Sequence, residues 1–305
     1  MKVSLHRRCL GTALAVMAAT SRPVRAQNAP PLTVPGTTWH DLEGQSGQPF
    51  RVFLHVPPGD PPPGGWPMVT LLDANAVMGQ VVDALRVFAF LPRESGIRSA
   101  AVVAGVGYRT DGPYDTVRRS FDLTPPPGRF IPASEGRPDA RTGGADETLD
   151  FIENVVKPLA ARAAPIDPAR HALLGHSFGG LCVLHALFTR PGSFRDHVAG
   201  SPAIWWEDSA ILGAVERFEA QPERPSPLRL FMTVGEYEQR LAPWHDPAWQ
   251  PRMDSMQMVD RARDLAARLH SLPGLEVEFE AMAGETHMTA FPQAVQKGLR
   301  FILRR

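Results

Sequence analysis

Gly175-His176-Ser177-Phe178-Gly179 follows the short apolar run His171–Leu174 and leads into Gly180-Leu181-Cys182-Val183-Leu184-His185-Ala186-Leu187-Phe188, a run with helical character. A G-x-S-x-G stretch between a strand and a helix holds its serine on a sharp, strained turn, with the hydroxyl exposed as a nucleophile. The glycines allow the strand and the helix to approach without a Cβ between them, and they permit unusual φ/ψ. The same five residues also suit an ordinary glycine-rich turn, so the reading depends on whether the rest of the chain supplies partners for Ser177.

Outward from this turn, strand-like runs occur at 51–56, 68–72, 100–106, 171–174, 228–234 and 277–281, with helical candidates at 77–90, 146–164, 181–189, 209–220, 254–272 and 291–303. Several of the strand runs are continuously apolar, as when helices cover both faces of a parallel sheet. Their alternation with helices predicts a mostly parallel, doubly wound α/β sheet, and together with the serine turn an α/β-hydrolase fold. The segment 111–142 is polar, rich in Pro and Arg and without periodicity. Following the strand that ends near Tyr108, it is read as part of a recognition insertion at about 109–145 over the carboxyl ends of the strands. The run Met256-Gln257-Met258-Val259 fits the apolar face of a packing helix.

The chain has 305 residues, 43% of them hydrophobic, ample for one large core. Residues 1–26 carry a basic start (Lys2, Arg7, Arg8), an apolar run from Cys9 to Ala19 and Val24-Arg25-Ala26 before Gln27, the pattern of a cleaved export signal, with Arg7-Arg8 resembling the twin-arginine type. The apolar run is too short to span a bilayer. An extended leader at 27–38 and a catalytic domain at 39–305 are expected to follow, in an exported protein, periplasmic or secreted, with no stable membrane insertion after cleavage. With Cys9 in the signal, Cys182 stands alone and reads as a packing residue. Thirty-two basic and 32 acidic side chains cancel, so no global field recruits nucleic acid. The expected partner is a small-molecule ester.

A serine needs a base, and in α/β-hydrolases the order along the chain is serine, acid, histidine. Gly284-Glu285-Thr286-His287-Met288 supplies the histidine after the last strand, with His245 as a rival beside Asp246. His176 adjoins Ser177, and its expected role is packing or shaping the turn. The acid belongs after the penultimate strand, in Val234-Gly235-Glu236-Tyr237-Glu238-Gln239: Glu238 is the first choice and Glu236 the alternative, since alternation in an extended segment points both the same way. Asp246, Asp254 and Asp260 are more distant options, and a Ser-His dyad needs none of them. Oxyanion donors are expected from the backbone N–H of Phe178 and from Ala74 or Asn75 in the turn Leu72-Asp73-Ala74-Asn75. This chemistry calls for no metal and no cofactor.

Leu71-Leu72-Asp73-Ala74-Asn75, Val106-Gly107-Tyr108-Arg109, Arg118-Arg119-Ser120-Phe121-Asp122, Gly175 to Gly180, Ser201-Pro202-Ala203-Ile204-Trp205-Trp206, Val234 to Glu238 and Gly284 to His287 together resemble the esterase branch of the α/β-hydrolases that includes the trilactone siderophore esterases. The resemblance runs from about Trp39 to the C-terminus. It implies Ser177 as nucleophile, His287 as base and Glu238 at the acid position, in a serine ester hydrolase working through an acyl-enzyme. Arg109, Arg118 and Arg119 with Trp205 and Trp206 would then offer guanidinium and aromatic faces to a catecholate ester. The same arginines equally suit structural ion pairs with Asp115 and Asp122, and the tryptophans the core. An acyltransferase or a non-catalytic ligand-binding homologue would share these residues.

Overall fold

The computed structural model describes residues 33–304 except 134–137, 222, 224 and 226. The expected signal and the first half of the leader, residues 27–32, lie outside the described residues. Among the described residues the strands are β1 (Thr37–Glu43), β2 (Pro49–His55), β3 (Trp66–Leu71), β4 (Val102–Gly107), β5 (Phe130–Ile131), β6 (Ala140–Arg141), β7 (Ile166–His176), β8 (Asp196–Gly200), β9 (Leu228–Gly235) and β10 (Leu275–Met282). The helices are α1 (Ala74–Phe90), α2 (Pro92–Ser95), α3 (Thr116–Asp122), α4 (Ala145–Phe151), α5 (Lys157–Ala163), α6 (Phe178–Thr189), α7 (Trp206–Ser209), α8 (Ile211–Glu219), α9 (Gln250–Met256), α10 (Met258–His270) and α11 (His287–Leu303).

Eight strands form one sheet in the order β1-β2-β4-β3-β7-β8-β9-β10. The run from β4 to β10 is parallel, while β1 and β2 add antiparallel at one edge. This is the α/β-hydrolase architecture that the alternating pattern predicts. Every residue of β3, β4, β8 and β9 is buried, which is why β3, β4 and, apart from Arg229, β9 read as largely apolar runs. One core cluster includes Leu181 to Leu184 of α6 and Ala262, Leu265 and Leu269 of α10, and another includes the apolar stripes of α1 and α11.

Two sheet strands are absent from the sequence reading. β1 is an edge strand with a mostly polar sequence and a half-exposed pattern, so it lacks an apolar signature. β8 starts Asp196-His197 and hides its polarity by pairing: Arg229 Nη1 of β9 donates to Asp196 Oδ1 at 2.8 Å and Nη2 to the Phe301 carbonyl at 2.8 Å, all three residues being buried. His197 is fully enclosed, and burial pushes its imidazole down to about 4.

The helices also differ from expectation in ways that matter for the site. The 146–164 helix is broken by a π-turn at Ile152–Val156 ahead of Pro158, whose missing N–H the bulge accommodates. The 254–272 helix is two helices, because Gln257 adopts the left-handed conformation (φ 46°, ψ 43°). The 111–142 segment, expected to be irregular, contains α3, capped by the Asp115 side chain accepting from the Arg118 amide at 2.9 Å, and the hairpin β5–β6. No helix among the described residues is long and apolar enough to cross a membrane.

His197 and His171, the latter also pushed down to about 4 mainly by burial, are held neutral in the folded chain. An unfolded histidine titrates near 6.5, so the unfolded state takes up protons first as pH falls, and folding stability drops between about 6.5 and 4. Denaturant titration should show His197→Gln losing about 2 kcal/mol of the decrease in stability that the parent suffers between pH 7 and pH 5. An unchanged pH dependence would contradict this assignment.

Candidate active site

Ser177 sits immediately after β7 with φ 61° and ψ −118°, a conformation that L-residues rarely hold, and α6 begins at the next residue. The strain is locked by close packing. A Cβ on Gly175 would lie 2.5 Å from the Gly179 carbonyl oxygen, and one on Gly180 would lie 2.6 Å from that of Gly200. The Ser177 amide donates to the Gly200 carbonyl at 2.9 Å, tying the turn to the end of β8. Ser177 opens into a cavity of about 1020 Å³, which His287, Glu238 and Phe178 also line.

His287 is the first residue of α11, four residues ahead of the predicted helix start, and Thr286 caps that helix. His287 Nδ1 lies 2.6 Å from Glu238 Oε2. The other oxygen, Oε1, accepts from Ser201 Oγ at 2.5 Å and from the Gly235 amide at 2.7 Å. Glu238 is buried while His287 stays partly open to the cavity. Glu236 goes elsewhere: its carboxylate accepts from the Gly284 amide at 2.7 Å and pairs with Arg240. The expectation that Glu236 and Glu238 point alike fails because Glu236–Glu238 is a 3-10 turn, not an extended segment. Glu236 thereby anchors the loop that carries His287, and the Tyr237 amide adds a bond to the Glu285 carbonyl at 2.8 Å.

His176 packs against His287, with its ring 4.6 Å from that of His287 and stacked on Phe291 at 4.7 Å. Burial, with His287 adding to it, holds the His176 imidazole well below its ordinary value. His245 lies on the cavity wall, and its Nδ1 accepts from the Ala242 amide at 3.2 Å. Cys182 is buried, and burial pushes its thiol up, as befits a packing residue.

In the β3–α1 turn, Asp73 is buried and left-handed (φ 53°), and Ala74 and Asn75 open α1, where first-turn amides have no helical acceptor. The Asn75 side chain is occupied in bracing the next loop, donating to the Tyr108 and Thr110 carbonyls at 3.0 Å each. Asp73 takes both Nε and Nη2 of Arg119, at 3.1 and 2.8 Å. Arg119 lines the cavity and lies 5.5 Å over the Phe178 ring. Of the other predicted binding residues, Trp205 and Trp206 line the cavity, with Phe178 edge-on to Trp206 at 4.9 Å. Arg109 and Arg118 do not line it. Arg109 faces Asp41 at 3.6 Å, and Arg118 faces the buried Asp122 at 3.0 Å. Burial pushes Asp122 up to about 7 against the pull of Arg118.

Five residues of the site escape the sequence reading. Asp73 and Ser201 stand inside quoted motifs, yet neither has a chemical type that singles it out before its partner is known. Met256 and Met258, read as packing residues, flank the break at Gln257 and line the cavity, as does Trp249.

Residues 44–302 match the family model described as "Putative esterase". The chain belongs to that family. It is 33% identical over 276 residues to the ferri-bacillibactin esterase BesA of Bacillus subtilis, covering 89% of this chain and 91% of that protein. It is 34% identical over 290 residues to the siderophore triacetylfusarinine C esterase of Aspergillus fumigatus, covering 88% and 94%. Among solved structures, the siderophore hydrolase EstB from Aspergillus nidulans superposes with a TM-score of 0.79 at 29% identity, over 90% of this chain and 98% of that one. This esterase is a carboxylic ester hydrolase with the α/β-hydrolase fold.

If the backbone at Ser177 is strained, only glycine relieves it. Ser177→Gly should be more stable than Ser177→Ala by about 1 kcal/mol in denaturant unfolding, although glycine ordinarily costs stability relative to alanine. A more stable alanine variant would speak against stored strain.

Proposed function

We propose that this esterase hydrolyses a siderophore ester of the lactone class, with Ser177 as nucleophile, His287 as general base and Glu238 as the orienting acid. The observation that carries the assignment is the 2.6 Å contact of His287 Nδ1 with a buried carboxylate, in the cavity onto which the strained Ser177 opens. Glu238 holds the proton on Nδ1 and leaves Nε2 to accept from the serine, while Ser201 and Gly235 hold the carboxylate in place.

Ser177 Oγ attacks the ester carbonyl as His287 takes its proton. The tetrahedral oxyanion is held by the Phe178 amide and the Ala74 or Asn75 amide. Arg119 adds a positive charge here: Asp73 engages its Nε and Nη2, and Nη1 is the arm of the fork left for substrate. His287 then protonates the departing alcohol, and water activated by the same imidazole frees the acid from Ser177.

The substrate class rests on the curated relatives, which are esterases of bacillibactin and triacetylfusarinine C, and on the cavity itself. Its volume is at the upper end for small-molecule sites, and Trp205, Trp206 and Arg119 give it aromatic and cationic walls suited to an electron-rich, anionic ligand. The basic and then apolar run at 1–26 supports export to the periplasm or beyond.

Ser177→Ala should fold normally and lose hydrolysis of a p-nitrophenyl acyl ester by about a thousandfold or more, and retained turnover in clean protein would refute the mechanism. Arg119→Met should lower kcat by about a hundredfold. A kcat equal to the parent's would remove Arg119 from the oxyanion site. A catecholate trilactone should be turned over faster than acetyl or butyryl esters, and the reverse order would overturn the substrate class.

A further inference from the structure

The sheet order divides the cavity around Ser177. On one side stand the turn after β3 and helix α3, bringing Asp73, Ala74 and Arg119. On the other stand the loops after β9 and β10, bringing Glu238 and His287. The His287 side is also where the departing oxygen has to lie, because the imidazole that deprotonates Ser177 must reach that oxygen to protonate it. The walls of this half come from Tyr237 and residues 244–249, where the sequence reading named His245 as a rival base and Asp246 as a more distant acid but no binding wall. Tyr237 lies edge-on to Trp244 at 5.8 Å, Trp244 edge-on to His245 at 6.1 Å, and His245 stacks against Trp249 at 5.9 Å and 27°.

Tyr237, His245 and Trp249 line the cavity together with Met288, the neighbour of the base. Trp249 and Met288 are 58% and 57% exposed, large apolar groups left open beside a catalytic histidine. Trp244, also exposed, braces the row from outside the cavity. The Ala242 amide bonded to His245 Nδ1 places the neutral ring's proton on Nε2, which adds a hydrogen-bond donor to this aromatic wall.

We propose that the Tyr237-His245-Trp249 row is the leaving-alcohol subsite, and that it selects esters whose alcohol carries a flat aromatic arm stacking on Trp249. The proposal rests on the esterase reading above and adds a direction to it: the acyl part lies toward Arg119, and the alcohol part toward Trp249.

The test compares ethyl acetate, 2-phenylethyl acetate and ethyl phenylacetate with the full chain and its Trp249→Ala and Trp249→Phe variants. Both acetates pass through the same acetyl-enzyme, so any difference between them arises while the alcohol is still bound. In Trp249→Ala the kcat/KM ratio of 2-phenylethyl acetate to ethyl acetate should fall about five- to tenfold, and Trp249→Phe should restore most of it. The ratio of ethyl phenylacetate to ethyl acetate should stay within about twofold. An unchanged alcohol ratio, or a fall on the phenylacetate pair instead, overturns the assignment. Failure of the esterase reading shows separately, as equal turnover of all three esters by the parent and by Ser177→Ala.

Discussion

The approach of α6 to the ends of β7 and β8 leaves no room for side chains at Gly175 and Gly180, and the rest of the site is arranged around that contact. Burying the amphipathic and fully apolar faces of the core pulls the helix onto the sheet, and the distance it reaches forces the connecting residue into φ 61°. Ser177 therefore has its position dictated by a large cooperative core, not by contacts of its own side chain. The hydroxyl stays available for chemistry because nothing in the turn needs it for structure.

The second half of the site is fixed by polar bonds. The Glu238 carboxylate is buried, and a buried carboxylate is costly unless its lone pairs are filled. Ser201, Gly235 and His287 fill them, and each comes from a different element: the end of β8, the end of β9 and the start of α11. Glu236, two residues earlier, turns outward and holds the loop before His287 through the Gly284 amide. Two acidic residues on one short turn thus do different work, one bonded to the imidazole and the other anchoring its backbone.

Much of this was legible in the sequence where local signals and chain order agree. Ser177 is marked by its glycines and by the change from strand to helix around it, and His287 by its place after the last strand. Glu238 was reachable from the same order, but its separation from Glu236 needed the 3-10 turn, which the pattern Glu-Tyr-Glu does not announce. β8 was missed because Asp196 and His197 look like surface residues until Arg229 and the surrounding core account for them. The bidentate bond between Asp73 and Arg119 spans 46 positions along the chain and leaves no trace in periodicity. The methionines at 256 and 258 read as one helical face, and only the left-handed Gln257 between them turns both toward the cavity.

That bidentate bond also limits how the enzyme can be reshaped. Helix α3 belongs to the 111–142 segment and lines the cavity, yet through Arg119 it grips the residue just before the amide at Ala74. Grafting a different segment here to widen the repertoire of ligands would also shift the turn that carries the proposed oxyanion amides. The cavity wall on α3 and the proposed oxyanion turn are mechanically joined in this scaffold, so a change made to the first is also felt by the second.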